Sequence, residues 1–172
     1  MYAKFSVIEH NLDYLLSTKI IKDYLRIDDN FDDDLLLLYL KTAEAAAENI
    51  IGDYVSEKVI EIVFDSKTSS SVVDLSNPKV VKLIDVLDLN SNKVDYDYSV
   101  LNNILTLKQS VLGDVIKVVC KVGCSAMQIS NDIRFAVLNH VGYIYQNKGS
   151  DVAFVPQNSL DVYFSHKKSF KL

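Results

Sequence analysis

The 172-residue chain is long enough for one domain, or one domain with a small appendage, and a chain of that size buries about 70% of the surface exposed when it is unfolded. Hydrophobic residues make up 49% and charged residues 24%, which excludes a disordered chain, and the formal net charge of −5 argues against nucleic-acid binding as the main task, since phosphate contacts need a basic surface. No apolar run approaches the roughly 18 residues of a membrane span, and the start, MYAKFSVIEHNLDY, lacks the charged-then-apolar layout of a secretion signal, so a cytoplasmic chain is expected.

The first predicted element is a short helix over TKIIKDYL, capped by Ser17 or Thr18, with Ile20, Ile21, Tyr24 and Leu25 on one side. RIDDN breaks it, and residues 28–34 then hold five aspartates in seven positions. A calcium loop opening at Asp28 places Asn30 and Asp32 correctly. It needs glycine at its sixth position and glutamate at its twelfth, where this chain has Asp33 and Tyr39, so the template fails. Helix initiation needs no metal: Asn30 or Asp32 caps free N–H groups, while Asp33 and Asp34 sit in the first turn, where the helix dipole favours anions. A weak surface cation is the alternative. A metal-dependent hydrolase using this cluster would lose activity on Asp32→Ala and Asp33→Ala.

The second helix is predicted from about Phe31 to Ile51, with Gly52 as its left-handed end. Leu35, Tyr39, Thr42, Ala46 and Ile50 make one stripe; Leu36, Leu40, Ala43, Ala47 and Ile51 make an adjoining one. Together they cover roughly 200°, about twice what a surface helix turns to its core. Lys41, Glu44 and Glu48 form the polar ridge, interrupted by Leu37. Such a helix is expected to bury one side in its own domain and to offer the other to a further copy of the chain, with Leu36, Leu37, Leu40, Ala43 and Ala47 as the protomer contacts. Full enclosure within one subunit is the competing reading.

From Glu57 to Gly123 the texture becomes β: KVIEIVF, SVVDL, KVVKLIDVLDL, YSVL, ILTL and DVIKVVCKV are β-branched runs separated by Ser, Asn, Gly and Pro. Asn102-Asn103 is predicted to close a tight hairpin, NSN at 90–92 another, and SKTSSS at 66–71 reads as a loop tip. In the last run Ile116, Val118, Cys120 and Val122 share a face opposite Lys117 and Lys121, the pattern of a sheet with one wet side. Cys120 and Cys124 have no histidine at ligand spacing and read as small apolar side chains rather than a zinc site.

SNDIRFAVLNHVGYIYQNKG is the third helix, capped by Ser130 or Asn131, striped by Ile133, Val137, Val141 and Ile144, and ended near Gly149. His140 lies at the edge of that stripe and reads as a packed, hydrogen-bonded side chain rather than a catalyst. SLDVYFSHKK after Pro156 is a short last helix. The ending SHKKSFKL is basic; it is either a solvated tail or a docking segment through Lys167, Lys168, Phe170 and Lys171. There is no phosphate-cradling glycine loop, no nucleophile elbow and no His-Glu-x-x-His, so no catalytic residue, metal ligand or cofactor is assigned and no enzyme is expected.

Three stretches together resemble the head–tail connector (adaptor, head-completion) proteins of tailed bacteriophages and prophages. The first is the helix ending YLRID, followed by acidic residues and an alanine-rich helix that closes on Gly52. The second is NPKVVKLIDVLDL with YDYSVLNNILTL. The third is DIRFAVLNHVGYIYQN, with Arg134, Ala136, Val137, Val141, Tyr145 and Asn147 at the family's positions. The likeness runs from about residue 15 to 165; the chain departs from the pattern in lacking tryptophan in the late helix and in its basic ending. The resemblance implies a non-enzymatic ring, typically dodecameric, beneath the portal of the DNA-filled head. DNA would pass through its lumen without specific binding, and its partners would be the portal and the next tail-completion protein. Its place would be the host bacterial cytoplasm during assembly and then the virion neck, with no membrane involved.

The expected fold is α+β: a small bundle of three to four helices with a compact antiparallel β-subdomain inserted between the second and third. The N-terminal helices would occupy 12–52, the β-rich insertion 57–123, and the C-terminal helices with the basic tail 130–168. A small cytoplasmic regulatory or ligand-binding α+β module is the alternative, with a pocket between the sheet and the third helix near His140 and Tyr143.

Overall fold

The computed structural model describes residues 3–10, 14–65, 72–75, 80–88, 90–108, 115–124, 128–147 and 154–167. In chain order these form β1 (Ala3–His10), α1 (Thr18–Leu25), α2 (Asp33–Ile51), β2 (Lys58–Asp65), β3 (Val72–Asp74), β4 (Val80–Leu87), β5 (Tyr96–Ser99), β6 (Ile104–Leu107), β7 (Val115–Val122), α3 (Asn131–Gln146) and α4 (Gln157–Ser165). The fold is α+β, with the contacts dividing it into a β unit (Met1–Leu12 with Glu57–Gly123) and a helical unit (Asp13–Ser56 with Cys124–Leu172).

In the helical unit, Ser17 opens α1 by accepting the Ile20 N–H at 3.3 Å, and Arg26 ends it in the left-handed region at φ 58°. Only Ile21 of α1 is fully buried. The predicted cap of α2 is corrected. Asp32 occupies the N-cap position, but its side chain makes no capping bond; Oδ2 instead accepts the Tyr145 hydroxyl of α3 at 2.9 Å. Asp33 sits in the first turn and pairs with Lys22 at 2.9 Å, tying α1 to α2. Gly52 closes α2 at φ 78°, as expected of the left-handed position. The core runs through α2, α3 and α4: Leu36, Leu40, Ala43 and Ala47 meet Ile133, Val137, Val141, Ile144 and Tyr163 in one buried cluster. Helix α3 ends at Gln146, and Gly149 lies outside the described residues.

The β unit holds a four-stranded sheet in the order β1-β2-β7-β4 and a three-stranded sheet in the order β3-β6-β5. Every neighbouring pair is antiparallel. Ile116, Val118, Cys120 and Val122 are buried and align with Phe64, Ile62, Ile60 and Lys58 across the ladder, so one face is the core face, while Lys117 and Lys121 turn away from it. The Asn turn is wider than predicted. Ser99 pairs with Ile104, leaving residues 100–103 as a four-residue loop, in which only Asn103 has positive φ (52°). Its Oδ1 accepts the Tyr98 hydroxyl at 2.7 Å. At 90–92 the organiser is Asp88, whose Oδ1 accepts the N–H groups of Asn90 and Asn92, both at 2.8 Å. The loop predicted at 66–71 lies outside the described residues. Strand β1 has no counterpart in the sequence reading.

Candidate interaction surfaces

The side chains assigned to protomer contact divide on the structure. Leu36, Leu40, Ala43 and Ala47 are each 0% exposed and belong to the chain's own helical core. This corrects the expectation that their stripe is surplus, because α3 and α4 cover it. Leu37 is half-buried and its neighbour Leu38 is 57% exposed. Glu44, assigned to the polar ridge, is 4% exposed, and its Oε1 accepts the Leu15 N–H at 2.8 Å. A helix with one face open to water has no reason to seal a carboxylate; here it satisfies a buried backbone donor that would otherwise be orphaned. The wide apolar arc of α2 is therefore wide because three segments of its own chain pack around it.

Of the proposed docking residues, Lys167 is exposed, with Nζ 5.7 Å from the centre of the Phe164 ring. Lys168, Phe170 and Lys171 lie outside the described residues. The aspartate run forms no ligand shell: Asp29 takes the Phe31 N–H at 3.1 Å, and Asp32 and Asp33 are engaged as above. Among the described residues no group of three or more His, Cys, Asp or Glu side chains is placed to hold a metal ion.

His140 is 1% exposed and packs 6.4 Å from the ring of Tyr163, which is wholly buried. Contrary to the sequence expectation, neither ring nitrogen has a well-formed hydrogen bond among the described residues, and the Tyr163 hydroxyl has none either. Burial pushes the imidazole pKa down, partly opposed by the Phe154 backbone, and pushes the Tyr163 phenol up. The cleft beside Tyr143 is a separate feature. It is open, holds about 210 Å³, and is lined by Tyr24, Asn139, Gly142, Tyr143 and Pro156 but not by His140. That is below the 300–1,000 Å³ usual for a small-molecule site. Its floor is set by Gly142, where a Cβ would stand 3.1 Å from the Tyr24 ring.

Exposed apolar side chains that sequence reasoning missed occur in both units, Phe31 (93%) and Phe135 (57%) in the helical one and a larger set along the sheet edges of the β unit. Phe5 (46%), Val7 (39%) and Ile8 (56%) stand exposed on β1, Val81 (54%) and Ile84 (39%) on β4, and Leu101 (94%) at the hairpin tip. Val7 and Phe5 align with the buried Ile60 and Ile62, so the core face of the sheet continues onto a strand where it is not fully covered. The alternation of Phe5 and Val7 was the available signal, and Ile8, the extra residue of a bulge, interrupted it.

Residues 18–81 match the sequence model of the phage gp6-like head-tail connector protein family. No curated protein sequence matches the chain significantly. Three solved structures of gene transfer agent (GTA) particles share the fold at 14% identity each. A chain of the neck of the native particle, computed with C12 symmetry, matches with a TM-score of 0.74, over 98% of this chain and 97% of that one. A chain from the neck of the empty particle, computed with C6 symmetry, gives 0.73 over the same shares, and one from the native virion gives 0.70 over 98% and 96%. The family match covers α1, α2 and the polypeptide into β4, while the fold shared with the particle-neck chains covers almost the whole chain.

Proposed function

We propose that this chain is a structural adaptor of a tailed phage or prophage, assembling as a ring that joins the portal of the DNA-filled head to the tail. The observation that carries the reading is the connector-family match over residues 18–81 within a fold shared along its whole length with chains of particle necks. The reading requires no catalysis and no cofactor; identical protomers act by presenting one surface to the portal and another to the next tail component. A closed ring needs a heterologous contact, with two different patches on each protomer. The net charge of −5 suits a lumen through which DNA passes without being held.

Assembly begins in the host bacterial cytoplasm and ends in the virion neck. On α2, Leu38, 57% exposed, and the half-buried Leu37 have apolar surface to offer a neighbouring copy. Lys167, Lys168, Phe170 and Lys171 remain the proposed docking segment. The helices of 12–52 and 130–168 form the seat of the adaptor, with the β-rich residues 57–123 as its appended unit. Electron microscopy of the full-length chain mixed with its cognate portal tests the reading. An added ring of density beneath the portal is expected, and a bare portal at saturating chain overturns it.

A further inference from the structure

Among the described residues the four-stranded sheet ends on two edge strands, and they differ. Strand β1 is one edge and β4 the other, with β2 and β7 between them. Because every neighbouring pair is antiparallel and the strand number is even, the two edge strands run in opposite directions. Two copies laid side by side in the same orientation therefore bring β1 of one against β4 of the next, still antiparallel. Repetition of that step is head-to-tail, the class of contact that closes rings; pairing β1 with β1 is isologous and stops at two.

Both edges carry apolar side chains at bulges. The ladder of β1 shifts between Val7 and Glu9, and that of β4 between Val80 and Lys82 and again between Leu83 and Asp85. The extra residues are Ile8, Val81 and Ile84, and all three are exposed. A bulge ordinarily blunts an edge against pairing, and a guarded edge carries charge there; these bulges present β-branched hydrocarbon instead. Past Asn92 the chain returns along the end of β4, where Val94 donates its N–H to the Val86 carbonyl at 2.9 Å, so the open stretch is 80–85. An antiparallel register with Ile8 beside Val81 sets Phe5 beside Ile84 and Lys4 beside Asp85. The apolar pairs then meet, and Lys4 joins an Asp85 carboxylate that already pairs with Lys93 of its own chain at 2.7 Å.

We propose that the β1 edge of one copy packs, through Phe5, Val7 and Ile8, against Val81 and Ile84 on the β4 edge of the next, a protomer contact made by side chains rather than by a continued backbone ladder. The inference rests on the ring reading and names one of its surfaces.

The test is disulfide trapping in the full-length chain with Ile8→Cys and Val81→Cys together, on a Cys124→Ser background. Cys124 is the exposed native thiol; Cys120 is buried, with its thiol pushed up to about 12, and does not compete. Oxidation is expected to give a ladder of dimers, trimers and larger species that needs both cysteines and collapses on reduction. No ladder, or dimers formed by Ile8→Cys alone, overturns the proposal. Thermal unfolding of the reduced chain, expected to match the parent, shows that the changes left the fold intact. The ring reading fails on a different sample: a parent chain that adds no ring to the portal. If that ring forms while trapping fails, the ring stands and the edge contact falls.

Discussion

The core stripe of the helical unit and the core face of the larger sheet are covered to different extents. In the helical unit, small residues on α2 let helices approach closely, and even Glu44 and His140 are sealed. In the β unit, the core face of the larger sheet runs out onto an edge strand with Phe5 and Val7 half in water, and both edges raise β-branched bulge residues. The helical unit also exposes apolar side chains, Phe31 (93%), Leu38 (57%) and Phe135 (57%) among them, so the contrast lies between the sealed α2–α3–α4 stripe and the uncovered edge of the sheet. A helix can be apolar over a wide arc because several neighbours surround it. A sheet edge has a neighbour on one side only, so its apolar residues stay exposed until something else arrives.

The largest expected effect tests the closed half. Leu40 is 0% exposed within the α2–α3–α4 cluster, and Leu40→Ala is expected to cost about 2–5 kcal/mol through lost burial and a cavity. Urea unfolding followed by circular dichroism at the helical signal reads it. A cost below about 1 kcal/mol would mean that this stripe is not core, and the comparison would reverse.

Glu44 sharpens the same point. Glu44→Ala removes the acceptor of the Leu15 N–H and leaves a buried donor unpaired, at an expected cost of about 1–3 kcal/mol. Glu44→Gln keeps an acceptor oxygen and should recover much of that loss. Equal losses for the two, measured in the same unfolding experiment, would assign the effect to the charge rather than to the hydrogen bond.

Much of the fold was legible because its signals are local. The cap of α1, the Gly52 stop of α2, the stripe of α3 and the alternation of β7 each lie within one or two turns or strands of sequence. What failed was what depends on a distant partner. Asp32 has the right residue type and place for a cap, yet Tyr145 draws its carboxylate away, and no local pattern announces a hydroxyl 113 positions later. Leu36 and Leu40 looked like a surplus because the sequence does not say how many segments return to cover them. Strand β1 was missed because a bulge breaks its period just where the pattern would have been counted. The candidate surface failed for that same reason: an edge exists only once the order β1-β2-β7-β4 is known.

Two acid-sensitive groups give smaller effects at separate pH windows. His140 is buried without a well-formed hydrogen bond and its pKa is lowered, so the unfolded chain binds the proton more readily. Stability is then full at neutral pH and falls as pH drops below the ordinary histidine value of about 6.5. His140→Leu should flatten that slope between about pH 7 and 5 in thermal unfolding. An unchanged slope would show that the imidazole gains its proton equally well in both states.

The smallest effect is at Asp132, on the first turn of α3. Its carboxylate accepts the Ser130 hydroxyl and meets His166 at the end of α4 at 2.7 Å. The Ser130 hydrogen bond, then His166, holds its pKa at about 2, below the ordinary aspartate value of 3.8. A depressed carboxylate stabilises the fold above its unfolded value, and that contribution disappears as pH falls through about 2. The site is largely solvent-exposed, so Asp132→Asn is expected to cost less than about 1 kcal/mol near neutral pH, and less still in high salt. The comparison of the parent and Asp132→Asn below pH 2 should show no difference, because both side chains are then neutral. A loss that persisted there would come from packing between the start of α3 and the end of α4, and would make that junction part of the closed core rather than its wetted rim.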